Sequence, residues 1–287
     1  MLKQIFSSTE EELEQKLEEI QDNNGVVDGI VVDASDTYRL IISAIQAKGG
    51  PKYEFVDIPP EANQDGGEIG GNIRVGFLYR SDTNVSCTRM QGGGPRNSVD
   101  IRLGKKGLEL TSNPGRIDPT NPAYMDSRKP LIAQFDVNGT PIFIIGLHLN
   151  SKGGDTALYG RYQPPLLLSE IQRLKQAESV NNFVNKMLML DPDAKIIILG
   201  DLNDFQFSSP VMKLLGNNLM NLAITLPKEK QFSYIYEGNG QVLDHILVSP
   251  GLKESVSFFD FIHINTEFAI TNRFSDHDPT FAKFIIP

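Results

Sequence analysis

Four consecutive aliphatic residues, Ile196, Ile197, Ile198 and Leu199, run into Gly200 and then into Asp201, Leu202, Asn203 and Asp204. An apolar run of this length closed by a glycine reads as a buried strand that delivers the polar groups after it to the edge of a sheet. If extended geometry continues past Gly200, Asp201 and Asn203 share a face, because side chains alternate along a strand. One then supplies negative charge and the other an amide donor. That pair suits a phosphoryl centre: the carboxylate can align or deprotonate an attacking water, and the amide can donate to a non-bridging oxygen as charge develops. The competing reading is an Asx-rich turn after a strand, which is common.

The rest of the chain supplies company for that strand. Strand-like runs of β-branched and aromatic residues cover Tyr53 to Ile58, Ile73 to Tyr79, Leu131 to Phe135, Pro141 to Leu149, Gln231 to Tyr236, Val242 to Ser249, Phe258 to Ile264 and Thr280 to Ile286. Helical spacing marks Ser8 to Ile20, Thr37 to Ala47 and Leu166 to Leu190, the last with Ile171, Leu174, Phe183, Val184, Met187 and Leu188 toward a core. Residues 92–129 are rich in Gly, Pro and Asn and carry seven Arg and Lys, so they read as surface loops and as the best place for a local basic patch. No repeat and no linker divides the 287 residues, which predicts one α/β domain over 1–287.

Charge and cysteine content narrow the chemistry. With 27 basic and 36 acidic residues the formal net charge is -9, which argues against holding nucleic acid by bulk electrostatics. A polyanionic substrate then needs a local basic surface or a metal. Cys87 is the one cysteine, so an internal disulfide framework is excluded. No run approaches the roughly 18 apolar residues of a membrane span, and the N-terminus lacks an export pattern. A cytoplasmic chain without stable membrane association is the expectation, or a secreted or periplasmic one if a leader precedes it.

Three further motifs place acids and histidines at strand ends. Ser275-Asp276-His277-Asp278-Pro279 precedes a strand and joins a hard oxygen ligand to a group that titrates near neutrality. In Leu243-Asp244-His245 a lone acid interrupts an apolar strand, and a buried carboxylate needs a partner such as a histidine it orients. His148 alternates with aliphatic neighbours in Ile144 to Lys152. Three of the four histidines fall in these motifs.

In this order the motifs resemble the endonuclease/exonuclease/phosphatase superfamily, the deoxyribonuclease I-like fold. Gly70-Gly71-Asn72-Ile73-Arg74-Val75-Gly76-Phe77-Leu78-Tyr79 and residues 148–154 look like its bacterial extracellular-nuclease branch. The resemblance implies a four-layer sandwich of two mixed, mostly antiparallel sheets flanked by helices. It also implies a phosphodiesterase, most simply a nuclease acting on DNA, with RNA as an alternative substrate. The alternatives are a lipid or inositol-phosphate phosphodiesterase or phosphatase, or a remnant that only binds. Carried over, Asp201 positions the water, Asn203 contacts phosphate, His277 oriented by Asp244 is base or hydrogen-bond donor, and His148 binds the scissile phosphate. Asn72, Arg128, Asn150 and Lys152 are further substrate contacts. Asp276 and Glu19 hold the metal, Mg²⁺ or Mn²⁺, a choice that suits a hard oxygen donor set without thiolates.

The N-terminus departs from the family. Glu18 to Gly25 resembles the segment around the family's metal-binding Glu, yet Glu11 to Glu18 reads as a charged amphipathic helix where an apolar strand belongs. Residues 1–25 are therefore expected to be truncated or divergent. Exposed sheet edges left by missing strands could be covered by a dimer, and the oligomeric state stays open.

Overall fold

The structure is a computed structural model that describes residues 31–67, 72–90, 93–105, 107–157 and 160–286. The helix predicted at Ser8 to Ile20 and Glu19, expected as a metal ligand, lie outside the described residues. In chain order the strands are β1 (Tyr53–Asp57), β2 (Gly76–Arg80), β3 (Val85–Ser86), β4 (Ile101–Gly104), β5 (Gly107–Leu110), β6 (Gly115–Arg116), β7 (Leu131–Val137) and β8 (Thr140–His148). They continue with β9 (Ile196–Asp201), β10 (Met220–Asn221), β11 (Tyr234–Tyr236), β12 (Asn239–Gln241), β13 (Asp244–Val248), β14 (Val256–Phe261) and β15 (Thr280–Phe284). The helices are α1 (Ser35–Ala47), α2 (Leu168–Leu190), α3 (Ser209–Leu215) and α4 (Pro250–Lys253).

The aliphatic run from Ile196 is the middle of a seven-stranded sheet ordered β10-β13-β9-β8-β7-β3, with β6 also paired to β7. Among the described strands β8 and β9 are the one parallel pair, and α2 is the crossover that a parallel pair requires. Alternation along β9 explains why Ile196 to Leu199 are all apolar. Ile196 and Ile198 pack with Phe143, Ile145, Val180, Val184 and Met187 under α2. Ile197 belongs to the opposite cluster, with Ile142, Ile246, Phe259 and Phe261, and Leu199 packs against it.

That second face is covered by two antiparallel pairs. The β14–β15 pair lies over β9 and β13, while β1–β2 brings Val56 and Phe77 onto Leu131, Ala133 and Phe135 of β7. Outside β1–β2 the Tyr38 ring of α1 stacks on Phe55 at 4.5 Å. Helices, sheet, strand pairs and helix follow one another as layers, in a mixed α/β fold of mostly antiparallel strands. Among the described residues the second strand layer is two separate pairs.

Two expectations need correction. On α2, Ile171 and Leu174 are exposed, and the buried positions of the helix's first half are Ser169, Arg173, Gln176 and Ala177. That half packs on the polar chain ends after β8 and around residues 123–127, where Gln176 Nε2 donates to Ala123 O and Ser127 Oγ. In the segment expected to form a basic patch, five of the cations are instead turned inward or paired, while Lys105 stays exposed. Arg116 and Lys129 converge on the buried Asp65, Arg96 pairs with Glu61 and Arg102 with Glu109. Among the described residues, no helix is long and apolar enough to cross a membrane.

Candidate active site

Strands β8 and β9 end, and antiparallel β13 begins, at one end of the sheet, and their register sets His148 opposite Asp201 and Asp201 opposite Asp244. By alternation all three lie on the β14–β15 face, since Ile197 and Leu199 of β9 and Ile246 of β13 pack there. His245, one residue along, points to the helix face. It is fully buried, with Nδ1 2.9 Å from Asn221 Nδ2 and Nε2 2.9 Å from Asp204 O. So Asp244 does not orient its neighbour. Its Oδ2 lies 2.6 Å from Nδ1 of His277, which arrives just before β15.

Asp201 sits between two imidazoles. Its Oδ2 is 3.5 Å from His148 Nε2 and 4.0 Å from His277 Nε2. With Nδ1–H donated to Asp244, His277 keeps Nε2 for the cavity. Ser233 Oγ receives the backbone N–H groups of Leu243 and Asp244 and so fixes the acid. The Tyr234 ring tilts over His277 with centroids 4.7 Å apart.

Burial and charge push these groups apart in acidity. Burial, then the nearby Asp244 charge, lifts Asp201 to about 6 despite the hydrogen bond it accepts from Asn203 N–H. Burial, then Arg128 and His277, lowers His148 to about 4 and keeps it neutral. Burial would also lower His277, but the hydrogen bond and charge of Asp244, with Asp201 and Asp276, outweigh it and raise the imidazole. Such separation of neighbouring groups is the usual arrangement for acid–base work.

Asn203 does not continue the strand. It adopts φ +50°, its N–H caps Asp201 Oδ1 at 2.7 Å and its Nδ2 donates to Leu149 O at 3.0 Å. Asp201 and Asn203 therefore share a turn rather than a face, and the amide ties the loop after β9 to the loop after β8. Asp204 is buried between Lys152 Nζ and Arg173 Nε, each at 2.8 Å. Lys152 is thereby committed to a carboxylate. Asn150 is held by its backbone: its N–H donates to Gln176 Oε1, and its carbonyl accepts from Arg173. Asn72 is buried beside Asp65, whose N–H lies 3.5 Å from Asn72 Oδ1, and its Nδ2 has no partner among the described residues.

Arg128 differs from the other cations. Its guanidinium donates to the carbonyls of His148 and Leu149, and among the described residues no carboxylate lies within 4 Å of it. Arg173, Asp204 and Tyr234 were not singled out from sequence. A polar stripe at helical spacing, Ser169, Arg173 and Gln176, was the available signal for the first.

Among the described residues one group could hold a cation: Asp201, Asp244 and His277, with ligand atoms within 4.8 Å of one another. The donor set fits. Burial, and after it the neighbouring Asp244 charge, makes Asp201 a weaker acid than an ordinary carboxylic acid, and a positive ion between the two carboxylates would relieve their mutual repulsion. Asp276 is exposed and stands outside this group, although its charge reaches His277.

Residues 112–278, well over half of the chain, match the model of the Endonuclease/Exonuclease/phosphatase family. No curated protein matches the chain. Truncated Caenorhabditis elegans TDP2 shares the fold at TM-score 0.52 and 14% identity, over 89% of this chain and 82% of that chain. A family protein from Leptotrichia buccalis gives TM-score 0.52 and 12% identity, over 91% and 84%. The human Nocturnin catalytic domain with bound sulfate anion gives 0.51 and 13%, over 87% and 77%.

Proposed function

The chain belongs to the endonuclease/exonuclease/phosphatase family of metal-dependent phosphoesterases, and we propose that it hydrolyses phosphodiester bonds of nucleic acid, DNA and also RNA. The observation that carries this reading is Asp201 set between His148 and His277, with Asp244 behind His277 at 2.6 Å. In the proposed step a water held by Asp201 attacks phosphorus and passes its proton to that carboxylate. His277, kept protonated by Asp244, gives a proton from Nε2 to the leaving oxygen. Neutral His148 donates to a non-bridging oxygen, and Arg128 lends its unpaired charge from beneath. Asn203 acts through the loops it ties together.

A divalent cation, Mg²⁺ or Mn²⁺, would be held by Asp201 and Asp244, with Asp276 and Glu19 as further carboxylates, and would polarise the phosphoryl oxygen as a Lewis acid. A second reading, a small phosphate ester as substrate, is favoured by one observation. Among the described residues Arg116, Lys129, Lys152 and Arg173 already face carboxylates, which leaves Arg128 as the cation near the site without one.

The test is hydrolysis of a single-stranded oligonucleotide, plasmid DNA, RNA and inositol phosphates by the purified chain with Mg²⁺ or Mn²⁺, with and without a chelator. Asp201→Asn should slow it roughly 10²–10⁴-fold, the range for a positioned acid–base group. Wild-type rates no faster than those of Asp201→Asn would overturn the proposal, and selective turnover of the inositol phosphates would replace the substrate class.

A further inference from the structure

The two loops that leave the site at His148 and Asp201 meet again four residues later on the helix side of the sheet. There Lys152 Nζ lies 4.5 Å from the Phe205 ring centroid, and Phe205 stacks on Phe207 at 5.5 Å with ring planes 25° apart. Phe207 is 73% exposed. A lone exposed phenylalanine is ordinary. This one ends a turn that is held at every step. The Asp204 carboxylate takes Lys152 and Arg173, and its carbonyl faces His245 Nε2. Phe205 N–H returns to Asp204 Oδ1, and Phe205 O accepts from both the N–H and the Oγ–H of Ser208. Two cations share one carboxylate here, so the cluster under the rings carries a net positive charge.

We infer that Phe205, Phe207 and Lys152 form a stacking ledge for an unpaired nucleobase, which makes single-stranded nucleic acid the preferred substrate at the neighbouring phosphoester site. The inference rests on the nucleic-acid reading above and deepens it. A base has a flat apolar face and lies on a charged strand, and the ledge offers a ring stack with a cation at its edge. In a duplex the faces of the bases are already stacked on one another, so only an unpaired base can take this place.

The test is fluorescence anisotropy of labelled oligo(dT), with turnover stopped by Asp201→Asn and, separately, by chelator on the wild-type chain. Phe207→Ala should weaken binding about 5- to 150-fold, the range for one lost base–aromatic stack, and should lower oligonucleotide turnover relative to bis(4-nitrophenyl) phosphate by a similar factor. Phe207→Tyr should restore both. Phe258→Ala, which removes one ring of the exposed Phe258–Phe281 pair on β14–β15, should change neither. The same oligo(dT) annealed to its complement, and an abasic strand, should bind as weakly as oligo(dT) binds to Phe207→Ala.

Unchanged affinity in Phe207→Ala, equal rescue by Phe207→Leu, or an abasic strand bound like oligo(dT) would each overturn the ledge. Phe207-dependent binding without hydrolysis of any ester would sink the phosphoesterase reading and leave the ledge standing. Hydrolysis of bis(4-nitrophenyl) phosphate without Phe207-dependent binding would do the reverse.

Discussion

Replacing Arg173 with methionine asks whether one guanidinium holds both loops of the site. The side chain is fully buried. Its Nε donates to Asp204 Oδ2 at 2.8 Å, and its Nη1 donates to Ser169 Oγ at 2.7 Å, Ser151 O at 3.1 Å and Asn150 O at 3.3 Å. Breaking a buried ion pair by removing one partner costs about 3–5 kcal/mol, because the other charge is stranded. Here Lys152 stays on Asp204 Oδ1 at 2.8 Å, and methionine refills much of the arginine stem. The lower end of that range applies, about 3 kcal/mol. For a chain of this length each kcal/mol shifts Tm by roughly 2–4 °C, so Tm should fall by about 6–12 °C.

The decisive measurement is the double-mutant cycle with Asp204→Asn, read by urea unfolding under circular dichroism because the chain has no tryptophan. Arg173→Met/Asp204→Asn removes the stranded charge and the partnerless Nη2 together. It should cost less than the two single changes added, with a coupling of about 1.5–3 kcal/mol. A single-mutant cost below about 1 kcal/mol, or strict additivity, would refute the idea that this pair anchors the loops.

Three further outcomes follow from the geometry. Gly200 has φ +131°, and a Cβ there would sit 1.9 Å from Leu147 O, so Gly200→Ala should destabilise by at least about 2 kcal/mol in urea unfolding; a neutral result would mean the β8–β9 contact can yield. Asp244→Asn removes the charge that raises the His277 imidazole and should lower kcat on every phosphoester by roughly 10²-fold or more with little change in Tm; a loss under fivefold would remove Asp244 from the mechanism. Burial lowers His245 in the folded chain, so the unfolded chain takes up a proton below about pH 6.5 that the folded chain refuses, and stability falls as pH drops. The stability difference between wild type and His245→Asn should shrink by up to about 1.4 kcal/mol per pH unit between pH 6 and 4, and a constant difference would count against a buried neutral imidazole.

The strands and their motifs were legible because they obey local rules. An unbroken aliphatic run can only be buried on both faces, and the run at Ile196 is covered by α2 on one side and β14–β15 on the other. What lies at the end of each strand could be read as chemistry. Which residue of an adjacent pair enters the site could not, because that depends on strand parity and register across partners far apart in sequence. Asp244 and His245 show this: the register with β9 sends Asp244 to His277 and His245 to Asn221 and Asp204. The Asx turn at Asn203 was visible as an alternative, and it prevailed because an N–H cap on Asp201 satisfies a backbone donor that an extended chain would leave unpaired at the sheet edge.

Charge was the least legible property. Seven basic residues in one loop-rich segment look like a patch when only their order is known. In the fold two buried acids, Asp65 and Asp204, each draw in two cations, because a buried carboxylate is costly unless it is paired and hydrogen-bonded. Arg116 and Lys129 go to the first, Lys152 and Arg173 to the second. The same demand that removes these cations from the surface leaves Arg128 beside His148 with carbonyl partners alone, where a substrate phosphate can complete its charge.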